Sequence, residues 1–474
     1  MPAKPHILIL MTDQQRADCL SGAGHPVLRT PNLDRIAAEG VRFANAVTTC
    51  PLCMPARASF VSGLYCHNHG MWANSGRLPA DDETFFHRLR SADYYTGYIG
   101  KSHFYEHRPG DHLRNHEDYM HARGIDFVHE TTGPWATAKT ASYLSDYWGL
   151  ERWQAYQADY QRRRGNPWAT WPSPLSVEDF PDSYVGRRAV EFLSSYDGGQ
   201  PICLFVSFGG PHEPFDAPGE YASMYNPKRC PPAIPPEPTD GLPAAAEAYV
   251  ASRWHFLRDR QAVPPEAIAA VRANYYGKIS LIDGWVGRIL DALTARGWLD
   301  DTLVVFWSDH GEMAGDHGRL FKSVFYESAL RVPLLLRWPG QIPPGQVRPH
   351  LAQTIDVFDT LLEAAGCQPS ARSFGKSLLP AARDASAPLR QAAFSEVAWS
   401  DGSAGRQESA LTTMVCTGRY KYAVNHAGEP LLLFDLREDP HEQNNLLAGG
   451  DCTELREQLD RSIYEWLLQT QVCL

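Results

Sequence analysis

The sequence predicts an α/β fold: a mostly parallel central sheet flanked by helices, followed by a smaller C-terminal α+β subdomain. Three observations carry this. Short apolar runs are continuous rather than alternating, the pattern of strands buried on both faces. Four of these runs end in charged or imidazole residues, as strands do where an open α/β sheet binds ligands at its carboxyl edge. From about Pro388 the pattern changes to brief strand-like runs separated by tight turns.

In chain order, His6–Thr12 is the first strand and stops abruptly at Asp13-Gln14-Gln15-Arg16. Thr30–Gly40 reads as a helix opened by Pro31 and closed by Gly40. Cys50–Gly63 reads C-P-L-C-M-P-A-R-A-S-F-V-S-G, a loop turning into a helix with Pro55 just inside its start. Cys53 then lies beside free backbone N–H groups and Arg57, where an anion or a nucleophile is favoured. Tyr94–Gly100 ends in Lys101-Ser102-His103, Pro201–Phe208 in Gly209-Gly210-Pro211-His212, and Thr302–Ser308 in Asp309-His310-Gly311. Pro265–Arg296 is a long helix with Ile279, Ile282, Val286, Ile289 and Leu293 at three- and four-residue steps. Val332–Trp338 is a further buried strand, and Thr354–Ala365 a helix stopped by Gly366. Phe104–Pro174 shows no clean period and reads as irregular, as does Pro227–Pro243 with its seven prolines. Ala392–Val397, Ala410–Cys416, Lys421–Val424 and Leu431–Asp435 are the short strands of the C-terminal unit, followed by a helix bearing Leu455, Leu459, Ile463 and Trp466. The chain thus divides into 1–387 and 388–474.

The formal net charge of -11 over 474 residues argues against a nucleic-acid partner and against attraction to anionic lipid. An anionic substrate therefore needs a local basic pocket. Ten cysteines in so long a chain are no disulfide scaffold. Met1–Met11 holds one lysine and the apolar run Ile7–Met11, a strand rather than a signal peptide or membrane span, so a cytoplasmic protein with no membrane partner is expected. The apolar tail Trp466–Leu474 leaves a homo-oligomer open.

Cys53-x-Pro55-x-Arg57, with the small-residue helix and Gly63, resembles the signature of the type I sulfatases, in which this cysteine is oxidised to formylglycine. Ala56 stands where that family most often has Ser. The competing readings are a plain buried cysteine, or a zinc knot of Cys50, Cys53, Cys66, His67 and His69. The remaining motifs fall in the family's order: Asp13, Cys53 with Arg57, Lys101 with His103, His212, Asp309 and Lys322. Ser308-Asp309-His310-Gly311-Glu312, Phe321-Lys322 and the later Arg419-Tyr420-Lys421-Tyr422 are also similar to it.

The resemblance implies an alkaline-phosphatase-like fold that hydrolyses a small-molecule or saccharide sulfate ester after a formylglycine-generating enzyme has converted Cys53. It implies a divalent cation on Asp13, Gln14, the modified Cys53, Asp309 and His310, with Ca2+ expected and Mn2+ or Mg2+ as alternatives. Lys101 and Lys322 would hold the peripheral oxygens and Arg57 would orient the nucleophile. His212 would be the acid for the leaving group and His103 the base that releases sulfate. Two positions depart from the common pattern: Gln14 replaces a second Asp, and His310 replaces Asn. Both resemble phosphonate monoester hydrolases of the same superfamily, so phosphonate monoester or phosphodiester hydrolysis is the alternative. Lys101 and His103 match the sulfatase pattern instead.

Overall fold

The computed structural model describes residues 4–251, 263–399 and 410–471. Its main sheet has eight strands: β1 His6–Asp13, β2 Val41–Val47, β3 Tyr95–Lys101, β4 Phe127–Thr131, β5 Ile202–Pro211, β6 Thr302–Ser308, β7 Leu334–Arg337 and β8 Gln346–Gln353. They lie in the order β4-β3-β5-β1-β6-β7-β2-β8, parallel except for β7, which runs against both β6 and β2. The four runs with polar ends are the adjacent strands β3, β5, β1 and β6. In register, Thr12 of β1 lies opposite Ser308 of β6, so Asp13 and Asp309 leave the sheet side by side.

Burial on both faces explains why these strands are continuously apolar. Ile7, Ile9 and Met11 pack on one face with Phe60, Phe205, Trp307 and Phe358. Leu8 and Leu10 pack on the other with Ile282, Val286, Ile289 and Leu293 of the helix Pro265–Ala295. Each such side chain taken out of water stabilises the fold by about 1.5–3 kcal/mol.

Beyond the main sheet, β9 Ala393–Trp399, β10 Ala410–Cys416, β11 Tyr420–Asn425 and β12 Pro430–Asp435 form an antiparallel sheet in the order β12-β11-β10-β9. The helix Thr453–Gln469 covers it with Leu459, Ile463 and Trp466. Lys421 of β11 is buried and reaches Glu327, 2.9 Å away, which ties this sheet to the segment after β6. Trp466 stacks on Phe394 at 4.5 Å, so it belongs to the interior and not to an apolar tail. The last three residues of that tail, 472–474, lie outside the described residues.

Phe104–Pro174 is not irregular throughout. It contains β4 and the helix Tyr143–Arg163. That helix breaks at Gly149, whose φ is 68°, so no single period runs along it. Its inner side is aromatic: Trp148, Tyr156 and Tyr160 close on Tyr184. Strands β2 and β8 carry Arg42, Asn45, Arg348 and Pro349, which hid them. Proline is tolerated in β8 because that strand is an edge. Pro227–Pro243 remains irregular apart from the turn Pro227–Arg229. Among the described residues no helix is long and apolar enough to cross a membrane.

Candidate active site

The helix Cys53–Ser62 begins at Cys53, is buried throughout, and stops where Gly63 takes a φ of 74°. Arg57 lies one turn beyond Cys53, on the same face. Its guanidinium is fully buried and bridges two strand ends. Nη2 donates to Asp13 Oδ2 at 2.8 Å, Nε to Asp309 Oδ2 at 2.9 Å, and Nη1 to Ser207 Oγ at 3.1 Å. Cys53 Sγ stands 3.8 Å from Asp13 Oδ1 and 3.2 Å from His310 Nε2. Lys101 Nζ closes on Asp13 Oδ2.

One donor atom from each of Asp13, Cys53, Asp309 and His310 lies within 4.8 Å of all the others, and all four residues are buried. His310 Nδ1 is 3.0 Å from the Gly311 carbonyl, so in the neutral ring Nδ1–H donates there and the Nε2 lone pair faces Cys53. Two carboxylates, an imidazole nitrogen and the position 53 side chain therefore fit a divalent cation.

Gln14 is turned differently. Its φ is 74°, and its side chain points to Lys322, which donates to Oε1, while Nε2 donates to Glu213 at 2.8 Å and to Glu312. Lys322 Nζ also lies 2.7 Å from His212 Nε2, and His212 Nδ1 is 2.6 Å from the Glu213 carbonyl. Since an ammonium only donates, His212 here holds its proton on Nδ1. Glu213 and Glu312 were missed in the sequence. Their only signal was adjacency, Glu213 following His212 and Glu312 closing Ser308-Asp309-His310-Gly311-Glu312. His103, Phe321 and Ser323 also have positive φ, at 54°, 73° and 72°, so strained backbone gathers around the site.

Electrostatics separate the groups. Burial and Cys53 oppose ionisation of Asp13, but the nearby Lys101 and Arg57 hold its carboxyl well below the usual range. Burial and the neighbouring Asp13 raise Asp309, despite His310 and Arg57. Burial also opposes the Cys53 thiolate, yet Lys101, Lys322, His310 and a hydrogen bond with His103 bring the thiol well below its ordinary value. Burial, then Lys101 and His107, push His103 down to about 3, so its imidazole is neutral near pH 7. Burial disfavours the Lys322 ammonium, but Cys53, Glu213, Asp13 and Asp309 raise it above its ordinary value.

The zinc knot is not assembled. His67 is held between Glu396 and Thr470, each at 2.9 Å, and His69 Nε2 bonds Ser59 at 3.1 Å. Cys66 and Cys50 are free thiols hydrogen-bonded to each other, whereas Cys53 stands with Asp13 and His310.

Cys53, Lys101, His103, His212 and Lys322 line a cavity of about 1020 Å3, whose walls include Trp135 and Trp168. Residues 5–367 match the sulfatase family, and residues 315–469 match the C-terminal region of N-sulphoglucosamine sulphohydrolase. The chain is 29% identical to an arylsulfatase of Clostridium perfringens, over 96% of this chain and 92% of that one. It is 31% identical to a choline-sulfatase of Rhizobium meliloti, over 94% and 82%. The crystal structure of a phosphonate monoester hydrolase of Agrobacterium radiobacter superimposes with a TM-score of 0.78 at 27% identity, covering 99% and 96%. With its alkaline-phosphatase-like architecture and a family match across most of its length, this chain belongs to the sulfatase family and is a sulfuric ester hydrolase.

Proposed function

We propose that the protein hydrolyses a sulfate monoester, a small-molecule or saccharide ester, to an alcohol and inorganic sulfate. In this reading a maturation enzyme has converted Cys53 to formylglycine, and a divalent cation sits on Asp13, Asp309 and His310. One observation carries it: two carboxylates, one imidazole, Arg57 and two lysines converge on Cys53 at the inner end of a large cavity. The matured residue supplies a hydrated aldehyde, one oxygen of which takes the sulfuryl group while deprotonation of the other expels sulfate. A bound cation supplies charge that favours the ionised hydroxyl and screens the incoming anion; Ca2+ is proposed, with Mn2+ or Mg2+ as alternatives that an imidazole ligand accepts. Gln14 joins that shell only when its amide oxygen leaves Lys322.

The chain's own residues do the rest. Arg57 fixes both carboxylates and so the direction of the nucleophile. Lys101 and Lys322 hold the peripheral oxygens, where the transferred group carries its charge. The His212–Lys322 pair, 2.7 Å apart, holds the proton a departing alkoxide needs. His103, neutral and hydrogen-bonded to position 53, takes the proton whose removal releases sulfate.

Gln14, His310 and the likeness to a phosphonate monoester hydrolase favour a second reading, cleavage of phosphonate monoesters or phosphodiesters. The lysines oppose it. A diester replaces one peripheral oxygen with a substituent and leaves an ammonium poorly paired, which costs about 1.5–3 kcal/mol, or roughly ten- to a hundredfold in rate. Kinetics on an aryl sulfate and the matched phenylphosphonate ester decide between them, using protein whose Cys53 peptide mass shows conversion. The sulfate should win in kcat/KM; a clear preference for the phosphonate establishes the second reading. Full activity from protein carrying only unmodified Cys53 refutes the maturation.

A further inference from the structure

We infer that the alcohol half of the substrate carries a second anionic group, a carboxylate or a further sulfate on a saccharide, held at the cavity mouth by Lys139 and Arg164. This rests on the sulfatase reading above. Among the described residues four cations line the cavity, and two of them are engaged at its inner end: Lys101 on Asp13, and Lys322 on Gln14 and His212. The other two, Lys139 and Arg164, come from separate segments, are exposed, and have no hydrogen-bond or ion-pair partner for their side chains among the described residues.

The contrast within Arg162–Arg164 is direct. Arg162 pairs with Asp159 at 3.0 Å and lies over the Trp171 ring, and Arg163 pairs with Asp159 at 2.6 Å. Arg164 is left to the cavity.

A sulfate monoester brings one negative charge, which the inner lysines already meet. Lys139 and Arg164 are surplus to it, and they stand on a chain whose net charge of -11 otherwise repels anions. A cationic alcohol is disfavoured. Among the described residues lining the cavity the one carboxylate is Glu213, whose oxygens accept from Gln14 and Trp135 and which lies against His212. The walls fit a ring bearing hydroxyls. Trp135 and Trp168 offer apolar faces, and Asn166 Oδ1 is a buried acceptor with no hydrogen-bond partner.

The test uses matured protein and a series of 4-(ω-carboxyalkyl)phenyl sulfates against the corresponding ω-hydroxyalkyl esters. The methylene spacer insulates the phenol, so the leaving groups are matched. A third arm replaces the carboxylate with a second sulfate and tells which anion is preferred. At low salt the anionic esters should be favoured in kcat/KM by about three- to tenfold, the range of two solvent-screened ion pairs. The preference should shrink as ionic strength rises. In K139A/R164A the ratio should collapse toward one, and in K139E/R164E it should fall below one, with thermal melts reporting folding. Equal kcat/KM for charged and neutral esters in the wild type, or a ratio retained in the double variants, overturns the subsite alone. Failure to hydrolyse any sulfate ester removes the sulfatase reading, and the subsite with it.

Discussion

Arg57→Lys tests whether the guanidinium is the strut on which the site is built. The native side chain reaches Asp13 at 2.8 Å and Asp309 at 2.9 Å through different nitrogens, with all three side chains fully buried. A lysine keeps the charge but concentrates it at one point, so it cannot bridge both carboxylates as a planar fork does. At least one charged hydrogen bond is lost, costing about 1.5–3 kcal/mol. Arg57→Met removes the partner altogether, and uncompensated buried carboxylates put the cost at about 3–5 kcal/mol. Activity should fall alongside stability, because a shift of about 1 Å in the carboxylates is enough to cost roughly a hundredfold in rate. The assay is guanidinium unfolding at pH 7 alongside kcat/KM on an aryl sulfate, each with and without excess Ca2+. Added cation should recover part of the stability of the Met variant, since it meets the same two carboxylates. An Arg57→Lys protein that unfolds at the wild-type denaturant concentration and keeps wild-type kcat/KM refutes the reasoning.

Asp309→Ala should lose bound metal and activity together, read by metal analysis and turnover, because one of two hard-cation carboxylates is gone. His310→Asn should keep activity while moving the metal preference toward Ca2+; unchanged selectivity in competition titrations argues against His310 as a ligand. Asp182, whose Oδ1 accepts from the Gly210 N–H at 2.9 Å, has a carboxyl that burial raises from 3.8 to about 6. The folded state prefers its protonated form, so the stability it gives is complete below pH ~4 and is lost as pH rises through about 6. Asp182→Asn should therefore gain on the wild type by up to about 3 kcal/mol between pH 4 and pH 8, measured by denaturant unfolding.

What the sequence disclosed depended on how local each signal was. β1, β3, β5 and β6 were legible because strands buried on both faces are continuously apolar, and their polar ends marked the ligand edge. Arg57 was legible through its fixed spacing from Cys53. The direction of the Gln14 side chain was not, because the left-handed backbone at that residue turns it toward Lys322, and nothing in Asp13-Gln14-Gln15 announces a φ of 74°. No role follows for Glu213 and Glu312 from the sequence alone, because only tertiary packing buries both against one glutamine amide. The helix Tyr143–Arg163 stayed hidden because Gly149 splits its period and its buried side is tyrosine and tryptophan rather than aliphatic.

β1 comes first of the sheet's strands in chain order, yet it lies at the centre of the sheet, and its two neighbours begin at Ile202 and Thr302. During synthesis the segment Ile7–Met11, uncharged and apolar, has neither edge covered until β5 has emerged at residue 211, and keeps one edge open until β6 follows at 302–308. That delay is a hazard, since another nascent chain can pair with the open strand. It is also an opportunity: Cys53, 1% exposed once folded, cannot be sealed beneath Asp309 and Lys322 before those residues exist. The same topology that leaves this strand waiting keeps position 53 uncovered until the chain has passed Lys322.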